Sequence, residues 1–398
     1  MARSRLALSR RRPRSSMSEL PPLDEERLRR VYAGRQVLIT GHTGFKGGWL
    51  ALWLHRLGAR VTGVALPPPQ GESGLFEALG LERLIDHRVA DLRHDHGFAD
   101  ATADLDAEIV FHLAAQPLVR RSYEVPADTF LVNVVGTARV LDRIRSMPSL
   151  RAAVMVTSDK CYENQEWPWG YREVDRMGGA DPYSASKGCA ELVISSYRRS
   201  FYSAPNGPAI ASARAGNVIG GGDWSCDRLV PDMVRAALTH QPVHIRNPAS
   251  IRPWQHVLDP LAGYLQLGAA LVEEGPDVAG GWNFGPDSAD TIDVGALADQ
   301  ISENWEGGIE VSRECARCAP HEAASLSLDS SKARMLLGWR PRLSIAEAAR
   351  LTVAWYREQA AAADMYAFSM SQIDQFASGN TPERAANPSG ISINSEAA

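Results

Sequence analysis

From Arg35 onward the chain alternates short apolar, β-branched runs with longer stretches whose apolar residues recur at helical spacing. The pattern predicts strands over 36–40, 60–66, 88–92, 108–115, 153–157 and 209–214, with helices over 45–57, 128–146 and 183–200. Strands separated by helices imply crossover connections and a parallel sheet covered on both faces. The nearly continuous apolar character of these strands fits burial from both sides. After Asn217 the rhythm breaks into loops rich in Gly, Pro and Trp with scattered helices. That region reads as a smaller lobe over the carboxyl ends of the strands, where doubly wound sheets bind ligands. A last helix is expected over 347–357, and from about Phe368 the accumulation of Ser, Asn, Gly and Pro reads as a tail.

Composition narrows the classes. The chain has 398 residues, 44% hydrophobic and 22% charged, as expected of a globular protein. No apolar run approaches the roughly 20 residues of a membrane span, so no membrane partner is expected. Six arginines lie between Arg3 and Arg14, and removing their charge from the formal −5 leaves an acidic body. That balance argues against a nucleic-acid partner. The basic segment lacks the apolar core of a secretory signal and reads as a flexible leader. Five cysteines do not make a disulfide framework in a chain of this length. Cys315, Cys318 and His321 fall short of a four-ligand structural zinc site, so no metal is expected. A reducing, cytoplasmic compartment fits this cysteine usage.

Candidate chemistry begins with Gly41-His42-Thr43-Gly44-Phe45-Lys46-Gly47, placed after the first strand and opening the first helix. A tight turn, a backbone that approaches a pyrophosphate closely, and free N–H groups at a helix N-terminus together predict a dinucleotide site. Gly41, Thr43, Gly44, Phe45 and Gly47 are its expected contacts. The acid that usually follows the second strand to bind a ribose is absent, since that strand ends Val64-Ala65-Leu66-Pro67. No arginine for a 2′-phosphate stands there either. Lys46 favours NADP, but NAD is the cofactor expected, with Asp91 and Leu92 placed to receive the adenine.

Tyr183-Ser184-Ala185-Ser186-Lys187 sets Tyr and Lys one helical turn apart on one face. An ammonium beside a phenol favours the phenolate, which makes Tyr183 a base for a hydroxyl proton. Thr157-Ser158-Asp159-Lys160-Cys161-Tyr162 adds a hydroxyl, an acid and a lysine at the end of a buried strand.

Gly41 to Gly47, His112-Leu113-Ala114-Ala115, Asn133 to Thr137 and Tyr183 to Lys187 together resemble the extended short-chain dehydrogenase/reductase family. Within it, Gly44 to Gly47, Gln116 to Arg120, Thr157 to Tyr162 and Arg214 to Trp224 are similar to CDP-glucose 4,6-dehydratases, over about residues 34–356. The resemblance implies an α/β, Rossmann-like doubly wound parallel sheet with a smaller C-terminal substrate-binding lobe. The expected division is a leader at 1–30, a dinucleotide domain at 31–215, a lobe at 216–365 interleaved with returns to the sheet, and a tail at 366–398. It also implies NAD, a nucleotide-sugar substrate (CDP-glucose) and a homodimer through the Asp128 and Tyr183 helices.

Site roles carry over residue by residue. Ser158 matches the hydroxyl at the sugar O4, Tyr183 the base assisted by Lys187, and Asp159 the acid at the departing C6 hydroxyl. Ala114 and Ala115 fall at the cofactor, and Gln116, Asn217 and Arg252 at the substrate, Arg252 on its diphosphate. Lys160 stands where related dTDP-glucose enzymes have glutamate. An ordinary amine holds its proton at neutral pH, so Lys160 is either a base made unusual by burial or a fixed cation that stabilises an enolate. An epimerase, another nucleotide-sugar dehydratase, a non-catalytic nucleotide sensor or a scaffold protein on this fold remain as alternatives. The Asp159-Lys160 pair argues against an epimerase, and the intact Ser158, Tyr183 and Lys187 set against a sensor.

Overall fold

The computed structural model describes residues 22–68, 74–287, 291–313 and 325–379. Seven strands form the central sheet: β1 (Gln36–Thr40), β2 (Arg60–Ala65), β3 (Asp86–Val89), β4 (Ile109–His112), β5 (Ala152–Val156), β6 (Ala209–Ala215) and β7 (Gly280–Phe284). Their order is β7-β6-β5-β4-β1-β2-β3, and every pair is parallel. The chain winds outward from β1 to β3, then returns to β4 on the other side of β1. The crevice at this reversal, between the carboxyl ends of β1 and β4, is where such sheets bind ligands.

Alternation along the strands supplies two separate cores. Val37 and Ile39 face one way with Ile109, Phe111 and Val154, while Leu38 faces the other with Val110, Ala153 and Met155. On the first face lie α1 (Glu25–Tyr32), α2 (Phe45–Arg56) and α5 (Leu258–Glu274), with α6 (Ile345–Ala360) and α7 (Met365–Ser378) packed into the same core. On the second lie α3 (Gly136–Ile144) and α4 (Pro182–Phe201). The doubly wound architecture expected from the pattern is the one observed.

Several boundaries differ from expectation, each for a local reason. The third strand sits at 86–89 rather than 88–92; as an edge strand of sequence Asp-His-Arg-Val it carries almost no apolar signal. The fourth ends at His112, because the chain then leaves the sheet to approach Gly41. The helix expected over 128–146 contains a π segment, Leu131–Val135, between Pro126–Phe130 and α3. Part of the expected leader is α1, whose Leu28, Val31 and Tyr32 are buried. Part of the expected tail is α7, whose Ile373 and Phe376 join the core. Its serines and glutamines hid that periodicity, yet two of them are used inside: Trp355 Nε1 donates to Ser369 Oγ at 2.8 Å, and Gln372 Nε2 to the Leu351 carbonyl at 2.9 Å. Cys315, Cys318 and His321 lie outside the described residues, as does the arginine-rich segment.

The C-terminal lobe is built from short pairings rather than a second sheet. Val218–Ile219 pairs with Gln255–His256, Ile251–Arg252 with Ile292–Asp293, and Val243–His244 with Val311–Ser312. Among the described residues no helix is long and apolar enough to cross a membrane.

Candidate active site

A cavity of about 770 Å³ opens at the carboxyl ends of the strands, between the sheet and the lobe. Every site residue expected from the sequence lines it. The structure therefore brings together the glycine turn, Asp91-Leu92, Ala114 to Gln116, Ser158 to Lys160, Tyr183, Lys187, Asn217 and Arg252.

The turn has the backbone a dinucleotide needs. Gly41 has φ +80°, and a Cβ there would stand 2.7 Å from the Ala114 amide nitrogen. A Cβ at Gly47 would come within 2.1 Å of the Gly41 carbonyl oxygen. Only glycine lets strand β1, the turn and the chain after β4 approach this closely. Beneath the turn, Thr40 Oγ1 accepts from the Leu113 and Ala114 amides at 3.2 and 3.1 Å and lies 2.7 Å from His112 Nδ1. His112 Nε2 is 3.2 Å from Thr137 Oγ1, whose own hydrogen goes to the Asn133 carbonyl. The network assigns the hydrogen to Nε2 and a neutral ring. Burial, reinforced by the Lys187 charge, lowers the imidazole to about 3 and keeps it neutral.

The reacting groups come from two elements. Helix α4 begins at Pro182 with Asp181 as its cap, accepting from the Ser184 amide at 2.9 Å, which fixes Tyr183 in the first turn. The segment after β5 supplies Ser158, which donates to Asp159 Oδ1 at 2.8 Å. Lys160 Nζ lies 3.8 Å from Asp159 Oδ1 and 3.4 Å from Asn217 Oδ1. Asp159 is 1% exposed, and its Oδ2 has no partner among the described residues. That oxygen is the one free to meet a ligand.

Titration behaviour differs in one respect from expectation. The Tyr183 phenol is pushed up to about 12, chiefly by burial and further by the Asp159 charge, while the Ser158 hydroxyl and Arg228 pull it down. Burial outweighs both here. Lys187 moves the other way, to about 8, because its ammonium is desolvated; Glu191 opposes the fall.

Two expected ligand contacts are occupied within the protein. The Asp91 carboxylate is held below the usual range by hydrogen bonds from Arg93, at 2.9 and 2.7 Å. The Gln116 side chain donates to the Leu118 carbonyl and Thr129 and accepts from the Leu118 amide. Both shape the loops that line the cavity. Asn133, in the π segment, accepts from the Gln116 amide at 2.8 Å and donates to Ser186 Oγ at 2.8 Å, tying that loop to α4.

Sequence reasoning missed Glu191, Arg214 and Arg228. Glu191 falls one turn after Lys187, so helical spacing was its only signal. Arg228 reaches the cavity beside its partner Asp223, at 2.8 Å, through a loop that no periodicity places.

Comparison with known proteins decides the family. A model of the GDP-mannose 4,6 dehydratase family matches residues 38–352. The chain belongs to that family. It is 47% identical over 354 residues to a CDP-glucose 4,6-dehydratase of Salmonella typhimurium, covering 88% of this chain and 98% of that one. It is 24% identical to a dTDP-glucose 4,6-dehydratase of Haemophilus influenzae, over 80% of this chain and 97% of the relative. Among solved structures, an epimerase of Methanothermobacter thermautotrophicus superposes with TM-score 0.72 at 24% identity, covering 85% of this chain and 96% of that one. An NAD-dependent NDP-hexosamine 5,6-dehydratase superposes with TM-score 0.66 at 24% identity, covering 81% and 98%. These two likenesses place the fold of the dehydratase family member described here.

Proposed function

We propose that this member of the family is an NAD-dependent hydro-lyase that converts CDP-glucose to CDP-4-keto-6-deoxyglucose. The observation that carries the reading is one cavity in which Ser158, Asp159, Lys160, Tyr183 and Lys187 converge opposite a turn only glycine can form. The relative of known name at 47% identity supports the substrate. The Gly41–Gly47 turn and the N-terminus of α2 fit a dinucleotide pyrophosphate, with Ala114 and Ala115 against it. Bound NAD supplies the hydride acceptor for C4 and the donor for C6. The apolar end of β2 offers no group for a 2′-phosphate.

The residues divide the proton chemistry. Tyr183 takes the O4 proton, with Ser158 bonded to the same oxygen and Lys187 and Arg228 supplying positive charge. Because burial holds the free phenol up to about 12, the reaction depends on those cations. A 4-ketone acidifies the C5 hydrogen; the Asp159 carboxylate, through Oδ2, takes that proton and delivers it to the departing C6 hydroxyl, which leaves as water. Lys160 faces two acceptors, the Asp159 carboxylate and the Asn217 amide oxygen. That setting supports a fixed cation for the enolate rather than a base. Arg252, 5% exposed and lining the cavity, binds the diphosphate in this reading.

The enzyme works as a cytoplasmic homodimer in this reading. Phe130, Val135 and Leu192 are 36%, 42% and 62% exposed on adjacent helices, a patch suited to a second copy. Incubation with CDP-, dTDP- and UDP-glucose, followed by mass detection of water loss, tests the assignment. Preference for CDP-glucose in kcat/KM supports it; preference for dTDP-glucose overturns the substrate, and no water loss from any overturns the reaction.

A further inference from the structure

Below the reacting groups lies a buried ion pair that the mechanism does not use. Glu191 and Arg214 are each about 5% exposed, and the guanidinium meets the carboxylate twice, Nε to Oε1 at 2.9 Å and Nη2 to Oε2 at 2.7 Å. Glu191 also accepts from Thr157 Oγ1 at 2.5 Å and from Ser212 Oγ at 2.7 Å. Arg214 Nη1 donates to the Tyr162 hydroxyl at 2.6 Å, and that hydroxyl donates to Asn283 Oδ1 at 2.8 Å. Thr157 and Tyr162 are the two ends of the segment that carries Ser158, Asp159 and Lys160. The pair therefore grips that segment at both ends and ties it to α4, β6 and β7.

Glu191 is also one turn beyond Lys187 on the same helix face. We propose that Glu191 is a positioning residue for the reaction, fixing the Thr157–Tyr162 segment against α4 and keeping Lys187 in its ammonium form. The inference rests on the roles proposed above for Ser158, Tyr183 and Lys187. Apart from Glu191, the group that opposes the desolvation of Lys187 is Cys161, and no other facing group offers it negative charge. Cys161 is held as the thiol by burial, His112 is neutral, and Lys46 is a like charge. Tyr183 becomes anionic only on giving up its proton. Glu191 is the one carboxylate that opposes the desolvation of Lys187. Loss of its charge lowers the lysine further, into the neutral range, and a neutral amine no longer favours the phenolate.

The chain makes this measurable without turnover, because it has only four lysines, at 46, 160, 187 and 332. The experiment titrates protein carrying ¹³Cε-lysine by NMR, with Lys187→Arg identifying the resonance. In the parent protein Lys187 should titrate near 8. In Glu191→Gln its midpoint should fall by about one pH unit. The alkaline limb of kcat should move down by the same amount, with KM for CDP-glucose nearly unchanged. Removing one partner of a buried pair can prevent folding, so Glu191→Gln with Arg214→Met, which removes both charges, is the second variant. Arg214 is not among the charges that act on Lys187, so the double variant should fall in the same direction. A folded variant whose Lys187 titrates as in the parent overturns the inference. Absence of turnover in the parent protein would instead overturn the reaction, and the titration would still decide the part played by Glu191.

Discussion

On the sheet side of the cavity Thr40, His112 and Thr137, and below them Glu191 and Arg214, are buried and bonded to one another. On the lobe side Arg120 and Arg246 share the Asp227 carboxylate, each at 2.7 Å, at the solvent edge. The side chains there are 34% to 46% exposed, in the range where water and salt screen an ion pair. Asp227 itself sits at φ +61°, a conformation that loops accept and regular elements do not. The difference separates two tasks. In the proposed function the chemistry rests on the buried networks, and recognition on the surface pairs that join the lobe to the helix Val119–Glu124 after β4. Changes on the first side should act on kcat or cofactor binding; changes on the second should act on KM.

Tyr183→Phe tests the sheet side most severely. It keeps the ring and removes the phenol, so oxidation at C4 should slow by about 100-fold or more. Rapid-scan absorbance of the bound nicotinamide reads that step; a near-parent rate would remove Tyr183 from the mechanism. Lys160→Met should spare that oxidation and slow elimination by about tenfold or more, so reduced cofactor accumulates on the enzyme in a single turnover. Equal slowing of both steps would contradict the separation of roles. Gly41→Ala puts a Cβ 2.7 Å from the Ala114 nitrogen at φ +80°, and NAD affinity by calorimetry should fall by about tenfold. On the lobe side, Arg252→Lys should raise KM by severalfold, roughly the value of one bidentate bond, with kcat within about twofold. Asp227→Asn should give the smallest effect, a KM change under about threefold that fades at high salt. A large fall in kcat from either lobe variant would show that the lobe side takes part in the chemistry.

The same contrast governs what could be read in the sequence. Strands β1, β2, β5 and β6 stand out because each is mostly apolar or small and buried on both faces, and the glycine turn and Tyr183-Lys187 are local motifs that folding does not rearrange. All the expected site residues reach one cavity for that reason. What was hidden depends on contacts distant in the chain. The Glu191 carboxylate has meaning only beside Thr157 and Arg214, and the Arg93 guanidinium claims Asp91 once the loop folds. Helix α7 was read as a tail because Ser and Gln mark loops by composition, whereas Ser369 and Gln372 are buried with partners of their own. Edge strand β3 was misplaced because a strand exposed on its faces loses the pattern that announces it.

In the proposed mechanism one cavity oxidises C4 and reduces C6 of the same sugar without releasing the hydride. CDP-glucose deuterated at C4, turned over with catalytic NAD and analysed by mass spectrometry, tests this directly. The expected product has lost water and carries the deuterium at C6, with no free reduced cofactor. Deuterium appearing in stoichiometric free NADH, with C6 still hydroxylated, would contradict it.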